Sequence, residues 1–395
     1  MIQLNNQNDN KILSNISPSD KSELKQATKE LYNSKSPMSF IGGGTKINFG
    51  NDFTKDITLI NTSKLNNIID YNPSDLVVTV ESGTQIRKLA DTLKANNQFL
   101  GFRLPFYDTS TIGGSLAFGY SGTYRFNDIH LRDSVIGLEF LNHFGNYVQS
   151  GGRVVKNVSG YDVHKLFIGT YGSFGPIYSI SFKVYPIPKT RKKIELLFDN
   201  MNDALIFGKQ FVLYNWNVPR LYVSKSDSTS KYKLGLDIVG TSSVVNKIIN
   251  SINYDFSKNI LSTDEMLSDK YIDDFGYSLD ANEILVKINS YKNDFFAPIV
   301  SYLETQKLKY DFMINPIFGF ALLVIQDNKD LNNFFNNLEL QIIKNNMIMQ
   351  IEWNNSHQHN FNLTNDNSDN INKILTKSFK NTYDKNNLFS PGKLL

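Results

Sequence analysis

Three stretches of this chain carry a backbone that could hold an anion. The first is Gly42-Gly43-Gly44-Thr45-Lys46. The second runs Pro105-Phe106-Tyr107-Asp108-Thr109-Ser110-Thr111-Ile112-Gly113-Gly114-Ser115-Leu116-Ala117 and continues to Ser121-Gly122. The third extends from Gly152 through Lys156, Ser159, Gly160, Tyr161 and Asp162 to Leu166, followed by Gly169-Thr170-Tyr171-Gly172-Ser173-Phe174-Gly175-Pro176-Ile177. Glycine permits positive φ and close approach of the backbone, so successive amide N–H groups can turn toward an anion. Two familiar phosphate motifs fail here. A dinucleotide fingerprint starting at Gly42 needs glycine where Ile47 stands, and a P-loop needs Gly-Lys-Ser/Thr where the chain has Gly44-Thr45-Lys46 and Gly392-Lys393-Leu394. A lone glycine triplet is more often a tight turn than a cradle.

Other reactive side chains are sparse. His357-Gln358-His359 is the one histidine pair of the C-terminal half, readable as a base or metal site or, better, as a solvated loop in Asn-rich sequence. His164 reads as a satisfied surface histidine, and His130 and His143 sit beside turns or strand ends without a partner signal. Lys156 and Tyr161 could touch a ligand or simply pack their loop. No metal site is expected.

The elements that must position these residues can be read from periodicity. Ser17-Pro18-Ser19-Asp20 reads as a helix start with Ser17 as cap, and Leu24, Ala27 and Leu31 follow at helical spacing. A short strand at Ser39 to Ile41 leads into the first glycine loop. Ile68 to Tyr71 and Leu76 to Val80 read as paired strands around a turn, and Thr84 as the cap of a helix striped by Ile86, Leu89, Ala90 and Leu93. Ile180, Phe182 and Val184 alternate on a strand. Pro186 to Lys193 reads as a linker, because two prolines cannot continue a ladder and four cations in five residues favour solvent. Beyond it glycine thins out. Strands at Tyr232 to Ile238, Ile284 to Ile288 and near Ile314 and Leu322 alternate with helices at Val244 to Ile252 and from Pro298, which predicts a smaller α+β domain on an antiparallel sheet. No long-period repeat is visible.

Composition sets outer bounds. At 395 residues the chain exceeds what one core usually serves, so two domains are expected. Lys+Arg 41 against Asp+Glu 38 is too small an excess for a nucleic-acid binder. With no cysteine the chain offers no disulfide, thiol nucleophile, thiolate zinc site or ligated iron–sulfur cluster. The longest apolar run, Phe318 to Ile325, is far short of the roughly 20 residues of a spanning helix, and the N-terminus carries no secretory pattern. A cytoplasmic protein is expected, peripheral to the inner membrane at most. The asparagine excess reflects genome bias better than function.

In their order and spacing the three stretches resemble the FAD-binding domain of the vanillyl-alcohol oxidase, or PCMH-type, flavoproteins. Lys156 to Val163 and Gly172 to Gly175 are similar to the Lys-Asn-Val-Ala-Gly-Tyr-Asp-Leu and Gly-Thr-Leu-Gly stretches of the FAD-binding subunits of bacterial glycolate oxidases. Thr111 to Gly114, the Arg132-Asp133 pair and the terminal Ser390-Pro391-Gly392-Lys393 fit the same subunits. The resemblance covers about residues 36 to 186 and the last eight.

It implies an α+β fold: a two-subdomain PCMH-type FAD-binding domain (1–187), a smaller antiparallel α+β cap for substrate or subunit contact (188–355), and a C-terminal segment (356–395) returning to the FAD domain. It implies FAD bound by Gly42, Gly43, Gly44, Thr45, Lys46, Pro105, Thr111, Ile112, Gly113, Gly114, Ser115, Ser121, Gly122, Ser159, Gly160, Asp162, Gly172, Gly175, Ile177 and Lys393. The amides of the first loop and of Gly113 to Ser115, with the Thr45 and Ser115 hydroxyls, would face the diphosphate. Asp162 would order the third loop. Pro176 removes a donor that relatives supply, and Ile41 replaces a frequent arginine. Neither of the first two motifs contains histidine, so non-covalent FAD is expected.

The implied function is that of the FAD-binding subunit of a glycolate-oxidase-like complex. A catalytic flavoprotein subunit and an iron–sulfur subunit would be its partners, and glycolate or another 2-hydroxy acid the substrate. Two alternatives stay open: a self-sufficient FAD oxidoreductase using Tyr161 or Lys156, and a scaffold that has lost FAD.

Overall fold

The computed structural model describes residues 11–102, 104, 106–119, 130–152, 160–213, 216, 218–225, 231–256, 260–265, 283–290, 296–306, 308–317, 319–326, 331–354 and 371–394. They fall into two compact units. One runs to Ile187 and includes the C-terminal segment; the other begins at Pro188.

The first unit opens with β1 (Ile12–Ile16), α1 (Lys21–Asn33), β2 (Met38–Ile41) and β3 (Ile57–Asn61), whose strands form a parallel sheet in the order β1-β3-β2. The cap of α1 is Asp20 rather than Ser17. Its carboxylate accepts the amides of Ser22 and Glu23, and the Glu23 carboxylate accepts the Ser19 amide in return, a reciprocal cap that leaves Ser17 and Pro18 outside the helix. Leu24 packs with Met38, Ile60, Leu65 and Leu141.

The unit continues with β4 (Ile68–Asn72), β5 (Val77–Glu81), α2 (Ile86–Lys94), β6 (Gln98–Phe99), α3 (Ile112–Phe118), α4 (Leu131–Ser134), β7 (Val135–Leu141), β8 (Tyr147–Gly151), β9 (Ile177–Lys183) and β10 (Tyr185–Pro186). Five of these strands make an antiparallel sheet, β4-β5-β9-β7-β8, and β6 pairs with β10. Val78, Val80, Ile180 and Phe182 share a core with Ile86, Leu89 and Leu93 of α2 and Ile112 and Leu116 of α3. Gln85, not Thr84, is the residue before α2. Gln85 makes no side-chain cap, and the Thr84 hydroxyl donates to the Asn67 carbonyl instead.

The chain returns to this unit through the terminal helix. Phe389 bridges Met38 in parallel, with Met38 N–H donating to the Leu388 carbonyl (2.8 Å) and Ser390 N–H to the Met38 carbonyl (2.7 Å). The tail thus extends the β1-β3-β2 sheet beside β2.

The second unit contains β11 (Thr190–Phe198), α5 (Met201–Leu213), β12 (Arg220–Lys225), β13 (Tyr232–Gly240), α6 (Ser242–Phe256), β14 (Ile260–Glu265), β15 (Glu283–Ser290), α7 (Phe296–Glu304), β16 (Tyr310–Asn315), β17 (Phe320–Gln326), α8 (Leu331–Lys344) and β18 (Met347–Asn354). The terminal helix, α9 (Ile371–Tyr383), follows and belongs to the first unit. β11 begins at Thr190, so Arg191, Lys192 and Lys193 lie on a strand rather than in a linker. Pairing with β13 on one side and β14 on the other satisfies their backbone, and the side chains that alternate with them, Ile194, Leu196 and Phe198, supply the apolar face.

All eight strands form one sheet, β14-β11-β13-β12-β16-β17-β15-β18. β11 to β14 run strand–helix–strand–strand–helix–strand with sheet order 4-1-3-2, and β15 to β18 repeat that order in reverse as 2-3-1-4. Two ferredoxin-like halves therefore meet second strand to second strand, through the antiparallel β12–β16 pair. The sequence showed no repeat because the halves share a pattern of burial, not residues. Phe207, Phe211, Val245, Ile248, Ile299 and Phe335 from the helices close the core on Ile194, Leu234, Val286 and Leu323.

Among the described residues, no helix is long and apolar enough to cross a membrane.

Candidate functional site

β2 delivers the chain directly into Gly42 to Lys46, and this loop floors a cleft of about 540 Å³, open solvent included. Thr111, Gly114 and Phe118 form a second wall, Tyr171 a third, and Lys393 of the tail a fourth. The first two glycine-rich stretches and the tail thus come together, and the third reaches the cleft through Tyr171.

The loop is shaped by its contact with the second stretch. A Cβ on Gly42 would lie 2.0 Å from Thr111 Oγ1, and one on Gly43 would lie 1.9 Å from the Thr109 carbonyl oxygen. Neither position admits a side chain. Gly44 turns the chain at φ +76°. Among the described residues, the amides of Gly43, Gly44, Thr45 and Lys46 have no acceptor. Four successive amides free of a protein acceptor beside the cleft are donors that an anion could use.

The second stretch contributes less backbone than expected. Gly113 N–H is taken by the Ser82 carbonyl (2.8 Å), Ile112 N–H by Thr84 (2.9 Å) and Ser115 N–H by Thr111 (3.0 Å). Only Gly114 N–H is weakly held, by Thr111 Oγ1 at 3.4 Å. Gly113 is glycine because Ser82 lies against it, 2.6 Å from where a Cβ would stand, whereas a Cβ on Gly114 would face the cleft with Thr111 Oγ1 alone nearby, at 3.3 Å.

The side chains of this stretch do more. Lys46 Nζ donates to Thr45 Oγ1 (3.2 Å), Ser110 Oγ (2.5 Å) and Ser115 Oγ (3.3 Å), and lies over the rings of Phe106 and Phe118. Burial lowers this ammonium to about 7. No carboxylate or imidazole is among the described residues lining the cleft. Opposite, Lys393 Nζ donates to the Phe49 carbonyl (3.0 Å) over the Phe53 ring; burial lowers it to about 8, against the pull of Asp52.

The rest of the third stretch behaves differently. Gly160, Tyr161 and Asp162 are exposed, Tyr161 at 94%, and none lines the cleft. Gly172 lies one layer behind, where a Cβ would meet Phe40 and Ser390 at 3.1 Å; Gly175 abuts the Leu141 carbonyl, and Ile177 is core. Pro105, Ser121, Gly122, Lys156, Ser159, His357 and His359 lie outside the described residues. His164 is 2% exposed, not a surface residue: Ser150 Oγ accepts its amide (3.0 Å) and pairs with Nδ1 (3.1 Å), while burial lowers its pKa. It sits on a short 3₁₀ turn, Val163–Phe167, held against Ser150 of β8, and that packing explains the burial, which sequence cannot reveal.

Sequence reasoning passed over Tyr171, Phe40, Phe53 and the Ser110 hydroxyl. Tyr171, Phe106 and Ser390 all adopt left-handed backbone (φ +50°, +57° and +44°), a conformation that costs a non-glycine residue energy and gathers at functional sites. Nothing in their residue types signals it.

Among the described residues, a cleft with acceptor-free amides and two buried lysines on its lining suits a polyanionic ligand. Comparison supplies the ligand. Residues 14–151 match the FAD binding domain family, so this part of the chain is an FAD-binding domain and FAD is its cofactor. The glycolate oxidase subunit GlcE of Escherichia coli is 31% identical over 178 residues, 44% of this chain and 50% of that protein. The glycolate oxidase subunit GlcD of Bacillus subtilis is 26% identical over 48% of this chain and 40% of its own length, and a D-lactate dehydrogenase of Anaerostipes hadrus 28% identical over 44% and 35%. The chain spans half or less of the length of these relatives. A solved alkyldihydroxyacetonephosphate synthase has the same fold, with a TM-score of 0.70 at 15% identity over 95% of this chain and 76% of that one.

Proposed function

We propose that this chain is the FAD-binding subunit of a glycolate-oxidase-like complex that oxidises glycolate or a similar 2-hydroxy acid to the 2-oxo acid. Bound FAD supplies a flavin able to accept the two electrons and pass them onward, here to a partner iron–sulfur subunit. The reading is supported by the run of acceptor-free amides from Gly43 to Lys46 on a cleft whose described lining contains two lysines and no carboxylate, in a stretch 31% identical to a glycolate oxidase subunit over 178 residues.

The chain's own residues bind and orient. The loop amides and Gly114 N–H hold the diphosphate, with Thr45 and Ser115 beside it; Gly42 and Gly43 let Thr111 and Thr109 approach, which sets the loop's curvature. Phe40, Phe53 and Phe118 exclude water from the walls. Lys393 closes the cleft from the tail. In this reading a catalytic flavoprotein partner supplies the base that takes the substrate's hydroxyl proton, and the chain's own cleft serves the cofactor. Binding is read as non-covalent: the chain has no cysteine, and no histidine is among the described residues lining the cleft. The complex is cytoplasmic or peripheral at the inner membrane.

Two measurements test this. The purified chain should show visible flavin absorbance that denaturant releases into the filtrate. Reconstitution with the catalytic and iron–sulfur subunits should then give glycolate dehydrogenase activity that depends on this chain; activity unchanged in its absence rejects the assignment. Bleaching of the isolated chain's flavin by a 2-hydroxy acid would instead favour a self-sufficient oxidoreductase.

A further inference from the structure

A nest of backbone amides binds a diphosphate without any lysine, so the Lys46 side chain calls for its own account. Its ammonium is surrounded by neutral groups from each segment packed on it: the Thr45 hydroxyl from its own loop, Ser110, Ser115 and the Phe106 and Phe118 rings from the second stretch. Among the described residues, the other titratable groups on the cleft walls are Tyr171 and Lys393. Lys393 already has Asp52 acting on it, whereas among the described residues no charged group acts on Lys46. Three hydroxyls can serve a lysine in either protonation state, since a hydroxyl accepts from an ammonium and donates to an amine equally well. Lys46 is therefore held in place whether or not it is charged, and what decides its charge is whether an anion stands in the cleft.

Resting on the FAD reading above, we propose that Lys46 is the side-chain counter-charge of the FAD diphosphate and that FAD binding takes up a proton at its amine. The proton comes from solvent and converts the neutral amine to an ammonium; no bond of the cofactor changes. The consequence is a flavin site whose affinity falls as pH rises.

With the free amine titrating at about 7, roughly half the empty sites are charged at pH 7 and about one-tenth at pH 8. A diphosphate alongside raises that value, because an opposite charge favours the ammonium. The sign follows: the complex holds more protons than the free protein above pH 7. The dissociation constant should rise by up to about tenfold per pH unit there and level off below pH 6.

The test is calorimetric titration of the flavin-stripped full chain with FAD at pH 6 and pH 8, in two buffers of different ionisation enthalpy. Uptake should be about 0.1 proton at pH 6 and about 0.9 at pH 8. Lys46→Met should bind more weakly and lose both the uptake and the pH slope, while Lys46→Arg, charged throughout, should restore affinity without uptake. Wild-type binding with no proton uptake overturns the inference and leaves the FAD reading standing. Uptake that survives in Lys46→Met but disappears in Lys393→Met overturns the assignment to Lys46. Failure of the wild-type chain to bind FAD overturns the reading beneath it and the inference together. Should Lys46→Met not fold, Lys46→Arg decides, because proton uptake at pH 8 that survives in it rejects Lys46.

Discussion

Two glycines in the same cleft do opposite jobs, and substitution separates them. Alanine at Gly42 would drive its Cβ to 2.0 Å from Thr111 Oγ1, so the loop and the start of α3 must move apart. Overpacking of this kind costs about 1–3 kcal/mol, and Gly42→Ala should lower both the stability of the flavin-free protein and its FAD content. Gly114 lies within α3, where alanine is the better helix former by about 0.5–1 kcal/mol, and its Cβ would meet nothing closer than 3.3 Å. Gly114→Ala should therefore melt no lower than wild type while binding FAD more weakly, because the new methyl enters the ligand's space. Thermal melts of the flavin-free proteins beside FAD titrations give both numbers, and a Gly114→Ala protein with unchanged affinity would remove Gly114 from the site. At this scale the sequence marked the first loop as a place of close backbone approach, and Gly42 and Gly43 are indeed closed to side chains by Thr111 and Thr109. For Gly113, Gly175 and Ile177 the structure shows a packing reason as well, in Ser82, the Leu141 carbonyl and the core. A glycine kept for packing and one kept for binding are the same letter.

The tail is held as an element by one buried ion pair. Lys380 Nζ in α9 donates at 2.7 Å to Asp384 Oδ2, to the Ser173 carbonyl and to the Phe389 carbonyl, and the Asp384 carboxylate accepts the amides of Leu388 and Phe389. Helix, third stretch and tail are thus tied at a point with almost no solvent. Lys380→Met leaves a buried carboxylate without its cation and two carbonyls without a donor. It should cost about 3–5 kcal/mol in urea denaturation and weaken FAD binding as Lys393 loses its place. A cost under 1 kcal/mol would show that the tail is held elsewhere. Only half of this design could be read in advance. The terminal Ser-Pro-Gly-Lys signals a return to the FAD domain, but i,i+4 charges such as Lys380 and Asp384 are ordinary on an exposed helix, and their burial depends on what the tail covers. Helix starts failed for a related reason: Ser17 and Asp20 are both good caps, and only the reciprocal bond from Glu23 selects between them. Strands with clean alternation, such as Tyr232 to Ile238 and Ile284 to Ile288, were legible throughout.

In the whole molecule each unit closes a core of its own. The apolar cluster of the second unit runs from Ile194 to Met349, and those of the first draw on residues up to Val184 and on the tail. The cofactor cleft is built from the first unit alone, by loops after β2 and before α3 and by the tail. A ligand that binds only the native form stabilises whatever must unfold to release it, by about 2.7 kcal/mol at a hundred times the dissociation constant. Both tryptophans, Trp216 and Trp353, belong to the second unit, so indole emission reports that unit and flavin emission the other. In urea, adding FAD should move the flavin-release transition to higher denaturant by that amount while the tryptophan midpoint stays where it is. The doubled ferredoxin-like sheet gives the reason, since eight continuous strands carrying helices on an apolar face need no cofactor to complete their core. If the tryptophan midpoint instead climbs in step with the flavin signal, the two units unfold as one cooperative body, and FAD, although bound in one unit, supports the fold of both.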